Sequence, residues 1–252
     1  TLSGSTSNIN GSSVFLSGSR VWNNHGTVNW NGSGGSSDSF HMQGTTQFNN
    51  LAGGMFSDNT NATVSAQLQP FSSPSISNAG TWVKTGTSPE TNIGPLFSNS
   101  GTVTVNSGTL QISGNGTDTG IYSTGVSGST GSIEFNAGIR TIEGGSLTGI
   151  NAIKFTGATV NLTSGSSITS TKPLELIGGQ LNFSTGSTIS LENLNVSNGD
   201  LVGSDNIEVS NNFTWVGGLT GGEGILNTLS GSTSNINGSS VFLSGSRVWN
   251  NH

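Results

Sequence analysis

The feature that most constrains this chain is a pattern of apolar residues and glycines that returns at a nearly constant interval. The segments NAIKFTGATVNLTSG (Asn151–Gly165) and KPLELIGGQLNFSTG (Lys172–Gly186) share few letters, yet their apolar residues and glycines fall at nearly the same places. Within each segment, short stretches alternate between apolar and polar residues, which predicts β-strands. An interval of about 20 residues without a helical segment indicates a β-solenoid.

The aligned segments supply three apolar columns, which we expect to form ladders along the solenoid. The first column and the residues two places on are Ile133, Ile153, Leu174, Leu194, Phe213 and Phe135, Phe155, Leu176, Val196, Trp215. Turn glycines follow, and then a second column: Ile139, Val160, Leu181, Leu201 and Leu219. The third column contains Val126, Leu147, Ile168, Ile189 and Ile207, with Ile225 as a further candidate. The prediction is an all-β, single-stranded parallel β-helix with about 20 residues per coil, adjacent coils lying about 4.8 Å apart.

Composition supports an all-β fold and excludes several classes of protein. Of the 252 residues 40 are Gly, only 7% are charged, and Ser, Thr and Asn are abundant, all of which disfavours helices. The absence of Cys excludes a disulfide scaffold and a thiolate metal site. The apolar runs are too short to span a membrane. Six Lys and Arg residues against 12 Asp and Glu, a net charge of -6, argue against nucleic-acid binding.

A second, longer repeat is letter-perfect. Residues 1–25, TLSGSTSNINGSSVFLSGSRVWNNH, reappear as residues 228–252. We expect residues 1–227 to be one full solenoid repeat and residues 228–252 to be the start of the next identical repeat in a longer tandem array. Any export signal would then lie upstream. A repeat of this length corresponds to about 11 coils, or about 53 Å of fibre.

Within the repeat, the sequence predicts regular coils over residues 126–227 and longer, loop-bearing coils over residues 1–125. An Asn-x-Gly-Thr-apolar turn recurs in the second region at Gly26, Gly80 and Gly101, and FNNLAGGMF (Phe48–Phe56) is a degenerate copy of it. Loops on a rigid stack are where recognition is expected. The expected loops lie around residues 33–41, 68–75, 85–95 and 114–125.

The ionisable residues allow two interpretations. Glu134, Lys154 and Glu175 are expected to stack on the outward face as an acid–base–acid ladder, which we interpret as a solvated ion-pair ladder. The competing interpretation is the carboxylate site that a polysaccharide-cleaving β-helix requires. Three other acidic residues occupy different coil positions and are not expected to converge: Glu192, Glu208 and Glu223.

The remaining candidate residues have structural interpretations. His25 and His41 lack metal-site spacing, and three aspartates fit turns better than calcium loops: Asp118, Asp200 and Asp205. Four tryptophans are expected to pack in or against the core: Trp22, Trp30, Trp82 and Trp215. Lys84 aligns with core positions, so either its strand ends before it or its stem reaches out to solvent. We therefore predict no catalytic, cofactor-binding or metal-binding residue, no cofactor and no enzymatic activity.

Three segments carry a resemblance to a known family: the Asn-x-Gly-Thr-Val turn, SGTLQISG (Ser107–Gly114) and FTWVGGLTGGEGILN (Phe213–Asn227). They resemble repeat regions of giant bacterial surface proteins of the filamentous-haemagglutinin and autotransporter-passenger kind. The resemblance extends over most of the chain. It implies a right-handed β-helix and an exported adhesin or fibre stalk, and it supplies no site residues.

The expected function is therefore that of a structural tandem repeat in an extracellular filament, sheath or adhesin stalk on a bacterial cell surface. Its expected partners are copies of itself end to end, as tandem repeats or filament subunits, with lateral self-association and surface glycans as further contacts. Nucleic acid and a membrane span in this segment are not expected. Two alternatives stay open, a carbohydrate-binding or polysaccharide-cleaving β-helix protein and a phage fibre shaft.

Overall fold

The computed structural model describes all 252 residues, Thr1–His252, and consists of β-strands without a helix. The parallel strands stack as a β-solenoid of about 12 turns with about 21 residues per turn, which confirms the predicted fold class. The chain divides into two compact units, Thr1–Ile133 and Glu134–His252. No helix with the length and apolar character needed to cross a membrane is present.

The first unit contains short strands, three to each coil. In chain order they are β1 (Thr6–Ile9), β2 (Ser13–Leu16), β3 (Val21–Asn24), β4 (Thr27–Trp30), β5 (Ser37–Gly44), β6 (Gln47–Asn50), β7 (Met55–Asp58), β8 (Ser65–Ser72), β9 (Ser75–Asn78), β10 (Thr81–Lys84), β11 (Glu90–Ile93), β12 (Leu96–Asn99), β13 (Thr102–Val105), β14 (Thr109–Ile112), β15 (Gly116–Asp118) and β16 (Ile121–Ser123). The next strand, β17 (Ser132–Phe135), begins in this unit and ends in the second.

Every third strand of the first unit belongs to the same parallel sheet. One sheet has the order β1-β4-β7-β10-β13-β16, and the other two begin β2-β5-β8 and β3-β6-β9. Alternate side chains point into the space between the sheets and form ladders there. Phe56, for example, pairs with Trp82 in the next coil, and their rings stack with centroids 4.0 Å apart. Both residues are fully buried.

A buried asparagine ladder runs along one corner of the first unit. Asn24 donates through Nδ2 to Oδ1 of Asn50 (2.8 Å), Asn50 donates to Asn78 (2.7 Å), and Asn78 donates to Asn99 (2.8 Å). The same amide nitrogens also reach backbone carbonyls, as Asn50 does with Thr81 O at 2.9 Å. All four asparagines are fully buried. The ladder satisfies polar groups that would otherwise be costly to bury at the turn.

Glycine follows this ladder because the neighbouring coil leaves no room for a side chain. A Cβ on Gly80 would collide with the carbonyl oxygen of Gly54, and one on Gly101 would collide with that of Gly80. The predicted Asn-x-Gly turns thus stack on one another, with the degenerate copy at Gly54 in register. The sequence analysis missed a further member of the stack, Gly120, whose Cβ would collide with the carbonyl oxygen of Gly101.

The second unit repeats the same architecture with several longer strands. Its strands after β17 are β18 (Ile139–Ile142), β19 (Ser146–Gly149), β20 (Ile153–Phe155), β21 (Thr159–Leu162), β22 (Ser167–Ser170), β23 (Leu174–Leu176), β24 (Gln180–Phe183), β25 (Ile189–Val196), β26 (Asp200–Gly203), β27 (Ile207–Thr220), β28 (Ile225–Thr228), β29 (Thr233–Leu243) and β30 (Val248–Asn251). The longest, β27, passes through register shifts and pairs successively with different neighbours.

The first predicted column is confirmed residue by residue in the second unit. Leu174 pairs with Ile153 below it and with Leu194 above it, and Leu194 pairs with Phe213. Two residues on, the paired series is Phe155, Leu176, Val196 and Trp215. These side chains are buried, with at most 3% exposure. Successive coils therefore place the same core positions on one line, as the sequence period predicted.

The second column is wrong at both ends by one residue. Val160 pairs with Arg140 rather than with Ile139, and Ile139 is 58% exposed whereas Arg140 is fully buried. At the other end, Leu201 pairs with Thr220 rather than with Leu219. The prediction placed an apolar residue at each core position. The register of the paired strands instead decides which residue of each strand points into the core, and here it selects Arg140 and Thr220.

The third column is partly confirmed. Leu147 pairs with Ile168, and Ile189 pairs with Ile207. The prediction is wrong for Val126, which lies in a turn between β16 and β17 and is 70% exposed. At the end of the column Leu226, rather than Ile225, pairs with Ile207.

The stretches expected to protrude from the first unit are largely built into strands. Residues 37–44 and 65–72 form β5 and β8, residues 90–93 form β11, and residues 116–118 and 121–123 form β15 and β16. Coil length in this region varies, since the stacked residues Asn31 and Asn59 are 28 apart whereas Thr102 and Ile121 are only 19 apart. The extra residues lie in the extended strands and in the connections that precede them.

Lys84 meets neither expectation made for it. It is the last residue of β10, its side chain is fully buried, and Nζ lies 3.8 Å from Oδ2 of Asp58 on the neighbouring coil. Nζ also donates to the carbonyls of Gly86 (3.4 Å) and Ser88 (3.2 Å). Burial lowers the pKa of the Lys84 ammonium, and the Asp58 carboxylate partly offsets this. The charge is tolerated in the core because its partner occupies the aligned position one coil below.

We predict that Asn50→Leu destabilises the protein far more than Asn49→Leu. Asn50 lies in the middle of the buried ladder, and its loss leaves groups on Asn24, Asn78 and Thr81 without their partner, at about 1–3 kcal/mol for each unsatisfied buried group. The adjacent Asn49 bonds to Asn23 at the exposed surface, so its replacement is expected to change stability by about 0.5 kcal/mol or less. Urea denaturation measures both. Equal losses for the two variants would contradict the role given to the ladder.

Candidate functional site: the repeated coil

The segment that occurs twice in the sequence forms a similar coil at both places, with two separate strands in the first copy where the second has one continuous strand. Residues 1–25 contain β1, β2 and β3, and the equivalent positions of residues 228–252 lie in β29 and β30. We call these segments the N-terminal copy and the C-terminal copy. Each makes one coil, whose lower face is turned towards the preceding coil and whose upper face is turned towards the following one.

Two internal contacts recur in the two copies. In the N-terminal copy, Trp22 Nε1 donates to Thr1 Oγ1 at 3.2 Å, and in the C-terminal copy the equivalent bond from Trp249 to Thr228 measures 3.4 Å. The backbone turn at the start also recurs, with a bond of 3.0 Å from Ser5 to Leu2 and one of 2.9 Å at the equivalent residues. Other side-chain bonds differ, since Thr1 bonds to Ser7 whereas the equivalent Thr228 donates to Asn251.

The N-terminal copy is covered on its upper face. β1 pairs with β4 and β3 pairs with β6, both of which belong to the following coil. Trp22 packs edge-on against Phe48 of that coil, with centroids 5.3 Å apart. Asn24 begins the buried asparagine ladder, and Ile9 is 7% exposed. This copy therefore shows what its sequence binds above itself.

The C-terminal copy is covered on its lower face instead. β29 pairs with β27 over eight residue pairs, and β30 pairs with β28. Trp249 packs edge-on against Phe213 of the preceding coil, with centroids 5.9 Å apart. In the upward direction the equivalents of Ile9 and Asn24 are open, since Ile236 is 41% exposed and Asn251 is exposed.

Arg247 connects this lower face to two coils below it. Its guanidinium donates to three backbone carbonyls: Gly221 O of the preceding coil through Nε at 2.6 Å, and, one coil further down, Gly203 O through Nη2 at 2.9 Å and Asp205 O through Nη1 at 3.3 Å. Burial lowers the pKa of Arg247, and the Asp205 carboxylate partly offsets this. Bonds from a charged donor are among the stronger ones in proteins, and burial strengthens them further.

The same residues are exposed where the preceding coil is absent. Arg20, the equivalent of Arg247, is exposed, whereas Arg247 is 4% exposed. Leu2 is 78% exposed, whereas its equivalent Leu229 is half-buried. Taken together, the two copies show both faces of one coil with their partners. The lower face packs on residues 212–220 and 225–228, and the upper face packs on residues 27–30 and 47–50.

Sequence reasoning identified the duplicated segment but did not assign Arg20 or Arg247 a role. The signal was present, since a single Arg stands in a segment otherwise free of charge apart from its last residue, a histidine. The sequence does not show the acceptors of this Arg, because they are backbone carbonyls, which any residue carries. Their position next to Arg247 follows from the register of the coils below it.

One pair of the predicted ion-pair ladder, Lys154 with Glu175, is present on the outward face of the second unit. Lys154 Nζ lies 3.5 Å from Oε2 of Glu175, and both side chains are about one-third exposed, at 35% and 27%. Glu134 accepts a bond from Thr156 Oγ1 at 2.7 Å. The ladder continues in register from Glu175 to Asn195. Its exposure makes each pair worth little to stability.

Two other acidic residues line a common surface groove. Glu192 and Glu208 border this groove of about 330 Å³ together with serine and threonine hydroxyls, and Ser190 pairs in register with Glu208. The alternation of β25 exposes Ser190 and Glu192 on the same side of the strand. Glu223 is not among the residues lining the groove.

An exposed aromatic ladder crosses three coils of the first unit. His41 stacks on Phe15 with centroids 4.5 Å apart and lies 5.4 Å from Phe71, and Phe15 and Phe71 are 59% and 47% exposed. Stacked rings cover one another's faces and present edges to solvent. Because sugars stack on aromatic faces, the ladder is better suited to joining coils than to holding a glycan.

The other candidates fit structural interpretations. No group of three or more His, Cys, Asp or Glu side chains is arranged to hold a metal ion. Asp118 accepts a bond from the backbone of Asn99, and the Asp205 carboxylate accepts bonds from Thr185 and Gly186. Trp30, Trp82 and Trp215 are buried, as predicted.

Comparison with known proteins finds no matching family model, no matching curated protein and no matching solved structure.

We predict that Arg247→Ala loosens the C-terminal copy while the identical change at Arg20 has no effect on the isolated chain. Arg247 makes three carbonyl bonds, whereas Arg20 is exposed. Loss of charged bonds worth about 1.5–3 kcal/mol each should raise amide hydrogen exchange in residues 228–252 about tenfold or more. Mass spectrometry of exchange in both copies measures this. Equal exchange rates in the Arg247→Ala and Arg20→Ala variants would contradict the claim that only Arg247 holds its copy against the coils below.

Proposed function

We propose that this chain is a non-catalytic structural tandem repeat of an extracellular filament, sheath or adhesin stalk on a bacterial cell surface. One observation carries the proposal: the same segment folds into a similar coil in both copies, with the upper face covered in one copy and the lower face covered in the other. A coil of this kind joins two repeats by continuing the stack through them.

The energetics of solenoids favour such joining. Stability in a repeat stack comes mainly from the interfaces between neighbouring coils, so an uncovered coil at either end is a weak point. It also presents unpaired backbone groups along its strands, which invite uncontrolled association. When repeats follow one another in one chain, the shared coil covers both faces and leaves no edge between repeats.

The surface supports a mechanical role. Pairs of asparagines bridge neighbouring coils on the outside, as between Asn8 and Asn29 (3.0 Å) and between Asn161 and Asn182 (3.1 Å). Only 7% of residues are charged. An exterior with few charges and many hydrogen bonds between coils suits a shaft that projects from a cell or surrounds it. The location on a bacterial surface rests on the resemblance of the repeat sequences to giant surface proteins.

We predict that a chain of three consecutive 227-residue repeats ending in residues 228–252 forms a filament whose length grows by about 53 Å per repeat at a spacing of about 4.8 Å per coil. Electron microscopy measures the length, with the 252-residue chain as the single-repeat control. Native mass measurement on the same samples separates this proposal from a phage fibre shaft, which would form trimers. Compact particles, or a length that does not grow with repeat number, would contradict the proposal.

A further inference from the structure

We propose that the side chains of Lys84 and Asp58 join in an amide bond, which ties two neighbouring coils together covalently. Lys84 is the last residue of β10, and Asp58 is its register partner at the end of β7. Nζ of Lys84 lies 3.8 Å from Oδ2 of Asp58, and both side chains are fully buried. The reaction takes place once within one chain and converts no substrate, so it is compatible with a structural role.

Apolar residues of the same ladder enclose the pair. Trp30 pairs with Asp58 from the coil below, and Val105 pairs with Lys84 from the coil above. Both of these side chains are fully buried. Burial lowers the pKa of the Lys84 ammonium, and the Asp58 carboxylate partly offsets this. Desolvation therefore favours the neutral amine, which is the nucleophilic form of a lysine side chain.

The two oxygens of the Asp58 carboxyl group are held differently. Oδ1 accepts bonds from the backbone N–H of Thr60 at 3.1 Å and from the Thr60 hydroxyl at 2.7 Å, and Ser88 Oγ donates in turn to Thr60 Oγ1 at 3.0 Å. Oδ2 has no hydrogen-bond partner and is the oxygen that faces Lys84. The donors at Oδ1 stabilise the negative charge that develops there when a nucleophile attacks Cγ. Oδ2 is then the leaving oxygen.

The two side chains contain all the atoms that the reaction needs. One proton passes from the Lys84 ammonium to Oδ2, which gives a neutral amine and a carboxylic acid. The nitrogen lone pair then attacks Cγ, a C–N bond forms, and the electron pair of the C=O bond moves to Oδ1. A second proton passes from the nitrogen to Oδ2, the C–Oδ2 bond breaks, and Oδ2 leaves as water while the carbonyl reforms at Oδ1. The products are one amide and one water molecule.

The stacked coils supply the proximity that this step requires. Two backbone carbonyls, Gly86 O at 3.4 Å and Ser88 O at 3.2 Å, accept bonds from Nζ and hold it beside Asp58. Reacting atoms are poised when they lie about 3–3.5 Å apart, so a small movement of the flexible lysine stem is sufficient. Exclusion of water from the site also protects the product from hydrolysis. The bond would reinforce the stack between β7 and β10 against pulling.

The test measures the intact mass of the full-length chain, folded at neutral pH and then denatured. We expect most molecules to weigh one water molecule less than the sequence requires. Lys84→Arg is the control, because it keeps the positive charge but has no amine that can attack, and its mass should equal the value from its sequence. Trypsin gives a second readout, since it cleaves after a free Lys84 but not after one whose side chain is in an amide. The expected product is then one peptide, 21–140, in place of 21–84 and 85–140.

Each outcome decides the proposal. Peptide fragmentation that locates the link between Asp58 and Lys84 supports it, whether or not the Lys84→Arg variant folds. A mass equal to the sequence value overturns it. An equal loss of water from Lys84→Arg also overturns it, because the water then leaves from another site. So does a link from Lys84 to another carboxylate, such as Asp38, which is buried one coil below. The three-repeat filament does not require this bond, so failure of the amide and failure of the proposed function are distinguishable.

Discussion

Backbone hydrogen bonding between successive coils is the constraint on which the rest of this structure depends. Once two coils pair in register, each side chain lies about 4.8 Å from the residue at the same position in the next coil. Position by position, neighbours must then be compatible: Phe56 with Trp82, Asn50 with Asn78, Asp58 with Lys84. Glycine recurs where the next backbone comes too close for a Cβ, as at Gly101. The solenoid is a set of ladders, and each ladder selects its residues by contact with the one below.

The same constraint explains why the two ends of the chain are informative about its role. A coil has two faces, and its side chains must fit both the coil below and the coil above. Arg20 and Arg247 are the same residue without and with its partner coil, and so are Leu2 and Leu229. Each end displays the repeated segment in a half-complete environment. Trp22 packs on the coil above it, its equivalent Trp249 packs on the coil below it, and Arg247 donates to three carbonyls.

Much of the fold could be predicted from the sequence, because hydrophobic periodicity reports directly on ladders of identical chemistry. The column through Phe155 and Leu176 was found because every member is apolar. Ladders that contain polar residues could not be recognised from hydrophobic periodicity. Arg140 and Thr220 occupy core positions that a search for apolar residues assigned to their neighbours. The Asp58–Lys84 pair and the asparagine ladder are polar inside the core, and each is acceptable only because the coil above or below supplies its partner. The groove shared by Glu192 and Glu208 was not predicted, because its lining comes from several coils.

In-register stacking, the central claim, is most directly tested by disulfide formation, since the chain contains no cysteine of its own. Lys154→Cys with Glu175→Cys places thiols on register partners about 4.8 Å apart, within the range that a disulfide spans. Lys154→Cys with Ile177→Cys moves one thiol two residues along the chain, just past the end of β23, to about 8 Å, and serves as the control. Mild oxidation followed by mass spectrometry should show the crosslink in the first pair and free thiols in the second. Crosslinking of the offset pair in preference to the register pair would contradict the account.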